Sequence, residues 1–246
     1  MDQGIRAFWY DLPEDKKDTY IDWLHSTYLL EVLQRPGILW AAHYEVTGGG
    51  KHMDEIADHL ARVDLEEVGK GQNYVLLVGA GSPHVFFKPI YEEVDAENPK
   101  TQEMLAIRLE ERINVFVEEA RVNGPDFDYR IHDSTPGPAI QMGSFCTMEL
   151  EKEWDLAAWY AQYRMPAMAR MPGSINTRKL VSVAGWAKHA VIYEFISLDA
   201  RQEHFQNHES LAMDETVWTN KIINYTIHAP GSPSVAPHLA ASQRLS

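Results

Sequence analysis

The chain has 246 residues, 45% hydrophobic and 24% charged, a globular balance with enough apolar material for one large core or two small ones. A formal charge of −14 argues against a nucleic-acid partner, because phosphate contacts need clustered Lys and Arg, and equally against an anionic membrane surface. The single cysteine, Cys146, excludes an internal disulfide framework. With no charged-then-apolar leader and no apolar run near the ~20 residues of a membrane span, the expected setting is a soluble, cytoplasmic protein.

In chain order, RAFWYDL reads as a short strand, and PEDKKDTYIDWLHSTYLLEVLQ as a helix with Pro13 and acids in its first turn. Pro36-Gly37 stops that helix, since Pro cannot continue it and Gly accepts the positive φ of a C-terminal cap. ILWAAHYEV is a strand, TGGGK a turn, and KHMDEIADHLARV a helix on the spacing of Met53, Ile56, Leu60 and Val63. NYVLLVG is a strand. Helical spacing is assigned across TQEMLAIRLEERINVFVEEA, although INVFV alternates as a strand would. FDYRIH then supplies the last strand of the half, and DSTPGPA is a Pro/Gly-rich linker. The second half repeats the plan: IQMGSFCTMEL, a helix EKEWDLAAWYAQYRMPAMAR, INTRKLVSV, HAVIYEFIS, a helix from about Asp199, and NYTIHA.

The repetition is visible in single residues. A shift of 136 positions lays Trp9 on Phe145, Leu12 on Met148, Trp23 on Trp159 and Pro36-Gly37 on Pro172-Gly173. At a different offset, YRIH at 129–132 answers YTIH at 225–228. Their common order predicts a tandem duplication of a βαββαβ, ferredoxin-like unit. The expected fold class is α+β: two fused ferredoxin-like repeats, each covering the open sheet face of the other, in an intramolecular α+β barrel. The expected boundaries are 1–132 for the first repeat, with a helical insertion about 51–70, 133–139 for the linker, and 140–246 for the second repeat with its tail.

At YLLEVLQRPG and RMPAMARMPG the chain resembles the dimeric α+β barrel superfamily, and within it the EthD-like group, whose first helix ends in a His-x-Pro-Leu-like pattern before Pro-Gly and a strand. Here Tyr28 and Arg164 stand where that pattern often has histidine; Pro166 keeps its proline, and Leu30 replaces it in the first half. The resemblance implies the barrel fold. It leaves the reaction open, because the superfamily includes cofactor-free monooxygenases, isomerases, cyclases and haem enzymes.

Among candidates for chemistry, His25 lies on the helical stripe Ile21, His25, Tyr28, Val32, which a helix laid on a sheet turns toward the cleft between them. A neutral imidazole there moves protons near pH 7, and Tyr28 offers a hydrogen bond to a carbonyl or enolate. His43 joins His25 if its strand face meets the helices, and is structural if that face meets the partner sheet. In the second half Tyr163 and Arg164, with Arg178 and Lys179 on the following strand, make a more basic site suited to a carboxylate. Trp23 and Trp159 line the corresponding apolar pockets. His132 and His228 record the repeat. His52, Glu55 and His59 have helical spacing but lack HExxH geometry, TGGGK lacks the phosphate-loop pattern, and Cys146 sits in a strand as inert core.

These residues predict a small enzyme with no metal or organic cofactor, acting by proton transfer on a modest aromatic or polyketide-like compound. His25 would be its base, and Tyr28 and His43 would orient the ligand. The alternatives are a non-catalytic protein that binds a small hydrophobic ligand, and a haem-binding barrel. Pairing into a homo-oligomer through exposed surface is compatible with either.

Overall fold

The computed structural model describes residues 2–48, 60–129, 135–147, 149–205 and 216–243. The first unit runs β1 (Gly4–Asp11), α1 (Lys17–Trp23), a π-helical turn (Leu24–Tyr28), α2 (Leu29–Gln34) and β2 (Ile38–Glu45). It continues through β3 (Ala61–Arg62), β4 (Tyr74–Ala80), α3 (Tyr91–Ala96), α4 (Pro99–Leu105) and β5 (Leu109–Asn123). The second runs β6 (Ala139–Thr147), α5 (Leu150–Trp159), another π-helical turn (Tyr160–Arg164), α6 (Met165–Met168), β7 (Ser174–Ala184) and β8 (His189–Phe195). After α7 (Leu198–Ala200) come α8 (Trp218–Tyr225), β9 (Thr226–His228) and β10 (Ser234–Gln243).

Strand order proves the expected class. The first unit pairs as β2-β4-β1-β5 and the second as β7-β8-β6-β9, the ferredoxin-like order in both. β5 is long enough to pair with β1 and then cross to β7, while β10 pairs with β6 and then crosses to β2. The ring β2-β4-β1-β5-β7-β8-β6-β10 therefore closes into an antiparallel eight-stranded barrel with no free edge. Ile5, Ala7, Trp9, Trp40, Ala42, Leu77, Met142, Leu180 and Ile192 fill its interior. Gly79 makes room for Trp40: a Cβ there would lie 2.0 Å from the indole. The outer faces carry the helices, each over its own aromatic core.

The two Pro-Gly corners match. Gly37 and Gly173 have φ of 83° and 78°, and each is followed at once by β2 or β7. The π-helical turns also match, at 24–28 and 160–164, the same 136 apart as the corners.

Four expectations change. The helix assigned to 101–120 is real only as α4; beyond Arg108 the chain is β5, with Arg112, Asn114 and Phe116 turned inward and Ile113 and Val115 toward the helices. The alternation in INVFV was the deciding signal, and the partners that enforce it, β1 and β7, are remote in sequence. Consequently β5, and not the expected FDYRIH, supplies the fourth strand of the first unit. Tyr129 ends a 3-10 turn after β5, and 130–134 fall outside the described residues. Nor do Trp9 and Phe145 correspond: Trp9 faces the barrel interior and Phe145 the helices. Of the helix expected over 51–63, residues 51–59 lie outside the described residues, including His52, Glu55 and His59, while Ala61–Arg62 form β3, parallel to β9.

Candidate functional site

β2 alternates, so Trp40, Ala42 and Tyr44 enter the barrel while Ala41 and His43 face the helices. That orientation settles the open question about His43. His43 is fully buried, its Nδ1 lies 2.8 Å from His25 Nε2, and its Nε2 lies 2.8 Å from the Tyr10 hydroxyl. Tyr10 and Tyr74 stack on the His43 ring, with centroids 6.0 and 5.5 Å away. The Tyr20 ring meets that of Tyr10 edge-on, with centroids 5.8 Å apart, and its hydroxyl accepts from Arg108 Nε at 2.6 Å. The guanidinium of Arg108 lies over the Tyr10 ring at 4.4 Å.

This chain has a preferred polarity. Arginine only donates, so the Tyr20 oxygen accepts from Arg108. With Tyr10 donating to His43 Nε2 and His43 Nδ1 donating to His25 Nε2, each hydrogen from Tyr10 to His25 finds an acceptor. His25 is thereby left with its hydrogen on Nδ1, which is not among the buried unpartnered atoms. In the opposite polarity the Tyr10 hydroxyl hydrogen has no acceptor among the described residues. Burial lowers the His25 pKa, with Asp22 pulling it back. Burial also lowers that of His43 well below its ordinary value, helped by His25 and Arg108. Both rings are therefore neutral at pH 7.

Tyr28 does not join this pair. Its ring packs on Trp23 at 5.2 Å, but its hydroxyl is buried and donates to both Asp95 oxygens, at 3.0 and 3.2 Å, and Asp95 also binds Arg35. The π-helical turn inserts one extra residue into the helix and places His25 and Tyr28 toward different partners. An open groove of about 240 Å³ borders this ion pair, lined by Glu31, Arg35, Asp95, Asn98 and Thr101 rather than by His25. Trp23, half-buried, packs between Tyr20 and Tyr28.

In the second unit the expected cationic pair divides. Arg178 enters the barrel and meets Asp2 at 2.9 Å and Glu118 at 2.7 Å, whereas Lys179 faces the helices, because neighbouring strand residues point to opposite faces. Arg164 is buried, its guanidinium 4.7 Å from the Trp159 ring and 5.4 Å from that of Phe205. Tyr163 stays exposed, with its ring 6.3 Å from Trp159.

Below them Lys179 Nζ lies 3.0 Å from His189 Nδ1 and 3.0 Å from Glu119, and His189 Nε2 lies 2.8 Å from Glu153. Burial raises the Glu153 carboxyl, but hydrogen bonds from Lys188, Thr147 and His189 more than offset this and hold it at about 2. With the lysine donating to Nδ1, the imidazole donates to Glu153, so all three groups are satisfied. Sequence reasoning missed Tyr10, Tyr20, Arg108, Glu153 and His189. The repeat offered a partial signal, since Lys179 stands 136 residues after His43.

Among the described residues no group of three His, Cys, Asp or Glu side chains is placed to hold a metal ion, and no helix is long and apolar enough to cross a membrane.

Solved structures share this architecture. An anthrone oxidase-like protein superposes with a TM-score of 0.61 at 12% identity, covering 98% of this chain and 93% of its own. A candidate monooxygenase from Fusobacterium nucleatum subsp. nucleatum ATCC 25586 gives 0.60 at 8% identity, covering 99% and 95%. Another from Lactobacillus acidophilus NCFM gives 0.56 at 8%, covering 99% and 97%. At such identities the likeness establishes the α+β barrel alone. No family model and no curated protein matches the chain.

Proposed function

We propose that the protein is a cofactor-independent enzyme that transfers a proton to or from a small aromatic or polyketide-like compound bound beside His25. The carrying observation is the unbroken hydrogen-bond chain from His25 through His43 to Tyr10. A half-exposed imidazole backed by a buried one is suited to exchange a proton outward and be restored from behind. In the preferred polarity His25 presents an N–H to a substrate oxygen as charge develops there; with the chain reversed it is a base. Trp23 supplies an aromatic platform on the same helix, and Trp159, Tyr163 and Arg164 form the counterpart in the second unit. Tyr28 is assigned to structure through Asp95. The likeness of the barrel to an anthrone oxidase-like protein favours substrates with an acidic C–H next to a carbonyl, and hence isomerisation or oxygenation of the resulting carbanion. We also read the two units as products of duplication with EthD-like ancestry, on the matched corners and π-helical turns.

The test is enzyme-dependent exchange of that C–H for deuterium, followed by NMR under nitrogen with anthrone as probe. His25→Ala should lower the exchange rate ~10²–10⁴-fold without loss of fold. Abstraction of the C–H uses the reversed chain, in which neutral His25 is the base, so the rate should hold above about pH 6.5 and fall on the acid side as His25 gains its proton. Parent-level exchange in the folded variant would remove His25 from the reaction.

A further inference from the structure

The two ends of the barrel interior treat charge differently. At one end Arg178 and Arg121 are met by Asp2 and Glu118, and Trp40 Nε1 donates to Asp2 at 2.9 Å. At the other, Arg112 lies inward over the Trp9 ring at 4.4 Å, is nine-tenths buried, and among the described residues donates only to the Gly71 carbonyl, at 2.7 Å. Its Nε and Nη2 are buried without a partner among the described residues, and so is Nε1 of Trp9, the residue directly opposite it in the β1–β5 register.

β1 and β6 run in the same direction around the ring, so Ser144, near the end of β6, faces inward at this same end. Its hydroxyl is also buried and unpartnered. The backbone N–H of Ser144 donates to Ser232 Oγ at 2.9 Å, and Arg62 reaches the carbonyls of Ser232 at 2.9 Å and Ala229 at 3.3 Å. Gly231 packs on Gln72, beside the Gly71 that Arg112 holds. Two arginines thus close over one pair of loops, and neither has a carboxylate partner among the described residues.

Burial, and then Arg62, push the Arg112 guanidinium down to about 9, with Asp11 acting the other way. The Asp11 carboxylate is already engaged, accepting from the backbone N–H groups of Gln72 and Asn73. Internal water could meet the lone donors but would leave the two cations uncompensated; an anion does both.

We propose that this end of the barrel is a binding site for a small oxyanion, a carboxylate or a phosphate, held by Arg112 Nε and Nη2 with Trp9 Nε1 and the Ser144 hydroxyl, and entered past the exposed Arg62. The site lies inside the barrel and is independent of the His25 cleft on its outer face. A planar carboxylate or one edge of a phosphate matches the guanidinium fork.

The test is calorimetric titration of the full chain with inorganic phosphate and, separately, with acetate, at constant ionic strength set by chloride. One-to-one saturable binding of at least one anion is expected, and the arm that saturates at lower concentration identifies the class. Arg112→Met should weaken binding at least 10-fold and Trp9→Phe, which keeps the ring and deletes the N–H, by a smaller factor. Arg62→Met should weaken binding and flatten its salt dependence. If Arg112→Met does not fold, Trp9→Phe together with Ser144→Ala provides the reading. No saturable binding of either anion, or unchanged affinity in the folded variants, overturns the proposal and leaves an interior holding water.

Discussion

Acid should open the barrel at its closing seam, and the size of the effect follows from two histidines. His228 ends β9, with Nε2 3.2 Å from Thr226 Oγ1, Nδ1 3.3 Å from Ser232 Oγ, and its ring 5.6 Å from Phe145. His238 lies on β10, with Nε2 2.6 Å from the Tyr44 hydroxyl and the two rings 4.5 Å apart. Burial takes each from 6.5 down to about 4, with Arg62 adding to the effect on His228. The depressed value sets the sign. The unfolded chain takes up these protons first, so this stability is complete above about pH 6.5. It is lost as pH falls toward 4, and is constant below that, where both states are protonated. Across the whole interval each histidine contributes about 3 kcal/mol, and by pH 5 about 2 kcal/mol of it is gone, so together they cost about 4 kcal/mol. That is a large share of the ~5–15 kcal/mol available to a folded domain.

The assay is urea unfolding near pH 7 and pH 5 at matched ionic strength, in the parent and in His228→Asn/His238→Gln. The parent should lose about 4 kcal/mol or more between the two conditions, since His25, His43 and His189 are shifted in the same direction. The double variant should lose markedly less. Equal losses in parent and double variant would refute the assignment of acid sensitivity to the seam.

Three further outcomes can be checked directly. Arg178→Met leaves Asp2 and Glu118 short of their buried cation, and thermal or urea denaturation should register a loss of ~3–5 kcal/mol. Gly173→Ala places a Cβ 2.7 Å from that of Ala200 at φ +78°, so it should destabilise by about 1–2 kcal/mol, measured by the same unfolding curve. Tyr10→Phe cuts the relay behind His25 while keeping the stacked ring; it should slow deuterium exchange into the probe with little change in melting temperature.

Much of the architecture was present in local pattern. Pro36-Gly37 and Pro172-Gly173 mark the helix-to-strand corners because a missing N–H and a tolerated positive φ are properties of those residues wherever they stand. The amphipathic helices, the alternating strands and their repeated order were enough to predict two ferredoxin-like units sharing one barrel. His25 and His43 were legible as candidates, and strand alternation limited His43 to two faces. Choosing between the faces required the register of β2 against β4 and β10, which depends on pairings far apart in the chain. The same non-local pairing decided β5, where helical spacing runs into a strand whose partners lie about 100 residues before it and 60 after it. Tyr10 on β1, Tyr20 on α1 and Arg108 in the loop before β5 share no spacing to read; only closure of the helix onto the sheet packs them together behind His43. The split of Arg178 from Lys179, and the contrast between the compensated and uncompensated ends of the barrel, likewise belong to the tertiary structure. A charge's partner is whatever folding brings within a few ångströms of it, and sequence neighbours on a strand are the residues it sends to the opposite side.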